Sequence, residues 1–201
     1  MPRSGDDFDV VVARLAASEE ELRRLGACLS AAERERAARF LFDRHRRRFI
    51  VARARLRELL GARLGRPAGE VPLVYASSGK PCLADDSLRF SVSHCGDVAL
   101  FAFSKACEIG VDIEEMRPIA AADSIAAQLF SARERLAYGA ARDKVRAFLR
   151  HWTRKEALAK GIGGGLSLPP EKLDPAAAPG WRVHSFFPLP GFIAAVASHS
   201  A

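Results

Sequence analysis

Apolar and polar positions along this chain alternate between helical spacing and strand spacing, and each half runs from helices to a pair of strands. Phe8 to Leu15, centred on Val10, Val11 and Val12, predicts a strand. Ser18 with Glu21 three residues later is a capping box for a short helix that ends near Gly26. Ser30 with Glu33 repeats the signal and opens a helical region reaching Leu64, in which Phe49, Ala52, Leu56, Leu59 and Leu60 keep helical spacing. Gly65, Pro67 and Gly69 mark a loop. Val71 to Tyr75 predicts a short strand, followed by a turn at Ser77-Ser78-Gly79-Lys80-Pro81. Leu88 to Ser93 and Val98 to Ser104 predict a hairpin around His94-Cys95-Gly96-Asp97.

The second half begins with the strand Ile109 to Glu114 and breaks at Pro118. Ser124 to Phe130 is helical, and Ser131 with Glu134 is another capping box. A periodic helix spans Asp143 to Lys160 and stops at Gly161 and the run Gly163-Gly164-Gly165. Trp181 to Phe187 and Phe192 to Ser198 predict closing strands. The expected fold class is α+β, built as two similar α+β lobes over residues 1–104 and 105–201. Residue identities do not repeat clearly enough to carry the duplication by themselves.

The strand Ile109 to Glu114 has two unlike faces, because successive side chains point to opposite sides. Ile109, Val111 and Ile113 share one face and suit a core; Gly110, Asp112 and Glu114 share the other. Two carboxylates so close repel, and they call for a cation or a shared proton. Magnesium takes oxygen ligands of this kind, together with phosphate oxygens and waters. An amphipathic edge strand with a solvated acidic face is the rival reading. In the helix Asp143 to Lys160, the apolar stripe Val145, Phe148, Leu149 and Trp152 continues by fours into Glu156 and Lys160. Spacing alone leaves two readings open: a solvated Glu–Lys pair, or a third carboxylate and a cation delivered to Asp112 and Glu114.

Charge adds a preference for anions. Lys and Arg number 31 against 24 Asp and Glu, a formal net charge of +7. Such a balance attracts nucleic acid, phosphorylated small molecules or acidic proteins. The run Arg44-His45-Arg46-Arg47-Arg48, with Arg34, Arg36 and Arg39 upstream, supplies much of it. A discrete phosphate site ranks above a nucleic-acid groove, which would interleave stacking aromatics with its basic face. Gly79-Lys80 is not a P-loop, since Val74 and Pro81 stand where that motif needs Gly and Ser or Thr. Lys80 can still be a lone phosphate ligand. Ser93 and His94 end a strand at a turn, where a hydroxyl, an imidazole and turn amides can take a phosphate oxygen. They point oppositely, which rules out a Ser–His nucleophilic pair. The four cysteines form no Cys-x-x-Cys pair, no leader peptide or membrane span is evident, and a reducing cytoplasm is expected.

In this order the pieces resemble the 4′-phosphopantetheinyl transferases of the two-lobed, Sfp-like type. The strongest match joins Ile109-Gly110-Val111-Asp112-Ile113-Glu114 with Trp152-Thr153-Arg154-Lys155-Glu156-Ala157-Leu158-Ala159-Lys160. Gly79-Lys80-Pro81, Ser91-Val92-Ser93-His94, Phe130-Ser131 with Glu134, and Gly165-Leu166-Ser167-Leu168-Pro169 are lesser matches. The resemblance implies a monomer with the active site between its lobes. It implies transfer of the phosphopantetheine arm of coenzyme A to a serine of an acyl, peptidyl or aryl carrier protein, with release of adenosine 3′,5′-bisphosphate. Neither nucleic acid nor a membrane is implied as a partner. Asp112, Glu114 and Glu156 match the magnesium positions, and Asp112, Glu156 and Lys160 the catalytic ones. Lys80, Ser93, His94, Lys155 and Lys160 match coenzyme-binding positions. Arg48 matches a basic position near the 3′-phosphate, with Arg36 as a helper. Glu33 stands where the pattern has a lysine. The alternative from another class is a nucleic-acid-binding module that uses the arginine-rich helix.

Overall fold

The computed structural model describes residues 8–76, 79–163, 169 and 173–199. The first half runs β1 (Phe8–Arg14), α1 (Glu19–Ala27), α2 (Ala31–Ala38), α3 (Asp43–Leu64), a 3-10 turn (Ala68–Glu70), β2 (Leu73–Tyr75), β3 (Pro81–Leu83), β4 (Arg89–Cys95) and β5 (Val98–Ser104). The second runs β6 (Glu108–Glu115), α4 (Ala122–Leu129), α5 (Ala132–Ala140), α6 (Lys144–Ile162), β7 (Trp181–Phe186) and β8 (Phe192–His199). Its strands pair β1-β5-β4 and β6-β8-β7, all antiparallel. Strand, two short helices, long helix, strand pair: both halves follow one topology, and the first adds the small β2-β3 ribbon.

The duplication extends to side chains. Ser30 and Glu33 close a capping box on α2, and Ser131 and Glu134 close the same box on α5. Arg34 donates to the Leu29 carbonyl, and Arg135 to the Phe130 carbonyl. Buried Glu33 accepts from Arg57 of α3 at 2.7 Å, while buried Glu134 pairs with Lys155 of α6 at 2.7 Å. The identities therefore do repeat, at the posts that fasten each short helix to its long neighbour.

One sequence expectation needs correcting. The helical region from Ser30 to Leu64 is two helices, because Phe42 turns into extended backbone at φ −106°, ψ 129° before α3 begins. Its ring settles against His45 and Arg44. The turn residues Ser77 and Ser78, the glycines Gly164 and Gly165, and the Leu166-Ser167-Leu168 match lie outside the described residues.

Packing follows the strand alternation. Phe90, Ala99, Phe101 and Phe103 of the first sheet bury against α1 to α3. Its other face offers Val98, Leu100 and Ala102 to Ile109, Val111 and Ile113 of the second sheet. Beyond that sheet, Ala195 and Ala197 pack on Ala157 and Leu158 of α6. The apolar face of β6 is thus the centre of the molecule, and its Gly110-Asp112-Glu114 face turns toward α6.

Glycine makes that approach so close. A Cβ on Gly110 would lie 2.0 Å from the Ala157 carbonyl oxygen and 2.4 Å from the Gly161 nitrogen. A Cβ on Gly161 would meet the Trp181 ring at 2.4 Å. Neither distance can hold an alanine, so the last turn of α6 lies directly on β6, with Lys160 beside Asp112.

Candidate active site

Asp112 is buried on β6. Its Oδ1 accepts from Lys160 Nζ at 2.6 Å and from Ser93 Oγ at 2.7 Å. Lys160 Nζ also donates to Ser93 Oγ at 2.9 Å. The three groups close a triangle: Ser93 comes from the first half, Asp112 and Lys160 from the second. Oδ2 of Asp112 is buried without a hydrogen-bond partner among the described residues. Burial raises the Asp112 pKa, against the opposing pull of Lys160 and Ser93.

Glu114 accepts from Trp152 Nε1 at 3.2 Å and is hydrogen-bonded to the Cys95 thiol. Burial raises its pKa, and the Asp112 charge raises it further. Glu156 is half-buried on α6, and desolvation raises its pKa first; Lys160 opposes this, while Asp112 and Glu114 add to it. The three carboxylates therefore sense one another across a partly dry cleft. Among the described residues, no three of the His, Cys, Asp and Glu side chains stand ready to cage a metal ion. The donor chemistry nonetheless fits magnesium. All three groups offer hard oxygens, Asp112 Oδ2 is an orphaned buried acceptor, and burial raises all three pKa values, a desolvation that a bound cation would offset.

Lys80 reaches the same place from the first half, donating to the Lys160 carbonyl at 2.8 Å near the C-terminal end of α6. A cation suits that end of a helix. Burial lowers its pKa. Lys80 and Lys160, with Pro81 and Val92, line a cavity of about 280 Å³ between the halves.

His94 leaves β4 on the face opposite Ser93. With Arg36, Phe49, Arg53, Pro81 and Val92 it lines a second cavity of about 140 Å³. Partial burial lowers the His94 pKa, helped by the charges of Lys160 and Arg48. Arg48 itself turns to Asp97 at 2.7 Å, in the β4–β5 turn.

Lys155 does not join the cleft, contrary to the sequence expectation of a coenzyme ligand. It is fully buried, with its ammonium on Glu134 and on the Leu173 carbonyl. Residues five apart on a helix differ by about 140° in direction, so Lys155 and Lys160 cannot share a face. Glu156 and Lys160, four apart, can. The sequence reading missed Arg53, which stands four residues after Phe49 on α3, and also the grip of Trp152 and Cys95 on Glu114.

A superfamily model for 4′-phosphopantetheinyl transferases matches residues 108–194, and a model for the N-terminal part of such transferases matches residues 14–106. The chain is 38% identical over 194 residues to the 4′-phosphopantetheinyl transferase HetI of Nostoc, covering 89% of this chain and 82% of that protein. It is 32% identical to the Bacillus subtilis transferase ffp, covering 76% of this chain and 68% of that one. The mouse L-aminoadipate-semialdehyde dehydrogenase-phosphopantetheinyl transferase is 31% identical over 71% of this chain, which spans 50% of that protein. These matches make the chain a group-transfer enzyme, and the two-lobed α+β architecture with carboxylates and lysines at its seam agrees with them. The chain belongs to the 4′-phosphopantetheinyl transferase superfamily, in its Sfp-like branch. Among the described residues no helix is long and apolar enough to cross a membrane.

Proposed function

We propose that the chain moves the 4′-phosphopantetheine arm of coenzyme A onto a serine hydroxyl of an apo acyl, peptidyl or aryl carrier protein, with magnesium, and releases adenosine 3′,5′-bisphosphate. The observation that carries this reading is the Asp112–Lys160–Ser93 triangle with its orphaned Asp112 oxygen. Residues 1–104 and 105–201 are the two lobes of this reading, and the second carries the metal site. Both lobes supply the cleft, so a single chain is the working unit. Four unpaired cysteines are in keeping with a reducing compartment, the cytoplasm.

Phosphoryl transfer asks a protein mainly for positioning and charge neutralisation. The incoming serine oxygen bonds to the phosphorus that carries the pantetheine arm, and the bridging bond to the adenosine-side phosphate breaks. Lys160, already held at the cleft, neutralises charge growing on the leaving phosphate. Lys80, which holds the end of α6, adds a second cation near it. Glu156, with its raised pKa, accepts the serine proton. Asp112, Glu114 and Glu156 are the residues that would hold magnesium, which when bound polarises the pyrophosphate and offsets their mutual repulsion. The +7 charge suits both a multiply phosphorylated coenzyme and an acidic carrier.

The nucleic-acid alternative is weakened by pairing. Arg46 is bound to Asp43, Arg47 to Glu19 and Arg48 to Asp97, so the arginine run is not a bare cationic face.

Intact mass spectrometry of apo carriers incubated with the protein, coenzyme A and magnesium tests the proposal. One added phosphopantetheine arm, lost with chelator and in Asp112→Asn, is expected. No gain on acyl, peptidyl and aryl carriers by folded protein would overturn it.

A further inference from the structure

The turn between α2 and α3 holds two neighbouring apolar side chains in water. Leu41 is 87% exposed and Phe42 is 55% exposed. An exposed leucine by itself needs no explanation, since much of any protein surface is apolar. Phe42 does, because it also takes the N-cap of α3 and makes no side-chain cap hydrogen bond there. Serine, threonine, aspartate or asparagine serves that position better, through a side-chain oxygen that accepts from the first-turn amides. A residue that helps neither burial nor capping breaks a local rule, and such breaks gather where a protein meets something else.

The turn is built to stay in place. The Phe42 carbonyl accepts from the His45 and Arg46 amides at 3.0 and 3.1 Å. Phe40, just before the exposed pair, packs its ring on Phe49 with centres 5.4 Å apart. Arg46 pairs with Asp43, and Arg47 reaches back to the Ala17 carbonyl at 2.8 Å. An aromatic side chain on so fixed a turn loses little freedom when a partner closes on it, which is the character of an interface anchor.

Charge narrows the partner. Arg39, Arg46, Arg47 and Arg48 each have a carboxylate. Arg44 has none among the described residues. Its Nε donates to His45 Nε2 at 3.1 Å, and its guanidinium stands 5.6 Å from the centre of the Phe42 ring. A cation without a counter-charge over an exposed aromatic ring suits a partner that offers an apolar socket beside a carboxylate. Position narrows it further. Arg48, about 9 Å further along α3, bonds to Asp97 in the β4–β5 turn. Cys95, where that turn begins, is hydrogen-bonded to Glu114. The exposed pair therefore stands on the first-lobe rim of the catalytic cleft, where a protein presenting a serine to the carboxylates would pass.

We propose that Leu41, Phe42 and Arg44 form a docking post for the apo carrier protein: the two apolar side chains enter a socket on an acidic carrier, and Arg44 pairs with a carboxylate beside it. This rests on the reading of a carrier protein as the acceptor. The post binds and orients the acceptor, and it touches neither the coenzyme nor the bonds that change.

The test measures kcat, the KM for the carrier and the KM for coenzyme A with a purified apo acyl carrier protein and an apo peptidyl carrier domain, for the parent, Leu41→Ser, Phe42→Ser and Arg44→Glu. Loss of an aromatic anchor predicts a carrier KM raised by about tenfold in Phe42→Ser, with a smaller rise in Leu41→Ser. Charge reversal in Arg44→Glu predicts a similar rise and a weaker dependence on salt. The KM for coenzyme A and kcat at saturating carrier should stay. Serine caps a helix better than phenylalanine, so Phe42→Ser should melt no lower than the parent, and its raised KM cannot come from unfolding. Calorimetric titration of the apo carrier without coenzyme A should show the same loss of affinity. An unchanged carrier KM in Phe42→Ser and Arg44→Glu, or a rise matched in the KM for coenzyme A, would overturn the proposal. So would binding to phosphatidylserine vesicles that these variants abolish at unchanged carrier KM, which would make the turn a membrane contact. A parent that modifies neither carrier yet binds one through Phe42 would instead sink the transferase reading and keep the post.

Discussion

Lys155 places its ammonium 2.7 Å from Glu134, and both side chains are buried beneath the turn that opens α5. Removing one partner of a buried pair leaves an uncompensated charge, which costs about 3–5 kcal/mol. Lys155→Met should lower the denaturant midpoint accordingly while leaving the KM for coenzyme A unchanged. Joint replacement, Glu134→Gln with Lys155→Met, removes both charges while keeping an acceptor for the Ser131 amide, and should recover part of the stability. A raised KM at unchanged stability would return Lys155 to the coenzyme site.

The carboxylates of the cleft set a pH dependence. Glu114 and Glu156 both have pKa values above their ordinary 4.5 when folded. The folded state then holds these protons more tightly than the unfolded one, so stability from this source is present below 4.5 and lost as pH rises through the folded values. Glu156→Gln removes one such group. It should be at least as stable as the parent at neutral pH, with a smaller fall in stability between acid and neutral pH, though inactive. Urea melts of both proteins across that window check the sign; a variant less stable at neutral pH would contradict it.

Gly110 and Gly139 make a contrasting pair. An alanine at 110 must push the last turns of α6 off β6, and overpacking of this kind costs about 1–3 kcal/mol or more. Transfer activity per folded molecule should fall as well, because Lys160 moves with the helix. At Gly139 in α5, a Cβ would meet nothing within 4 Å. Gly139→Ala should therefore stabilise the chain by about 0.5–1 kcal/mol through helix propensity, with activity unchanged. Paired denaturation and transfer assays would separate the two.

Trp152 holds Glu114 by its indole nitrogen and stacks on Phe148. Trp152→Phe keeps the stack and frees the carboxylate. Partners that orient metal ligands matter by about 10–100-fold, so the magnesium concentration for half-maximal transfer should rise by about tenfold, with a small change in Tm. An unchanged magnesium requirement would show that Glu114 needs no such support.

Much of the architecture was legible because strand and helix periods are local. The two faces of β6, the Ser30–Glu33 and Ser131–Glu134 capping boxes and the Glu156–Lys160 side of α6 follow from spacing alone, whereas Ser18 caps α1 by accepting from the Glu21 amide without the reciprocal half of a box. The structural pairs were harder to see. Glu33 finds Arg57 and Glu134 finds Lys155 across different chain separations, with arginine in one lobe and lysine in the other, so no simple repeat aligns them. Lys155 was misassigned because it neighbours Glu156 in sequence, although the helix turns it away. Arg53 interrupts an apolar stripe and resembles any solvated helix arginine until Tyr75, from the β2-β3 ribbon, is brought over it. The break at Phe42 was hidden because capping signals mark where helices begin better than where a long helical stretch divides.

The apolar layer between the sheets draws on both halves, and this bears on how the chain is made. When the first 104 residues have been synthesised, Val98, Leu100 and Ala102 form a strand face whose cover, Ile109 to Ile113, is only beginning to emerge. That cover gains its ladder partner only when β8 pairs with β6, although Ser91 and Ser93 of β4 already reach its backbone and Asp112. Between the emergence of β5 and that of the second lobe's strands the growing protein therefore carries an oily sheet surface with no mate, a natural ligand for chaperones and a hazard for any truncated product.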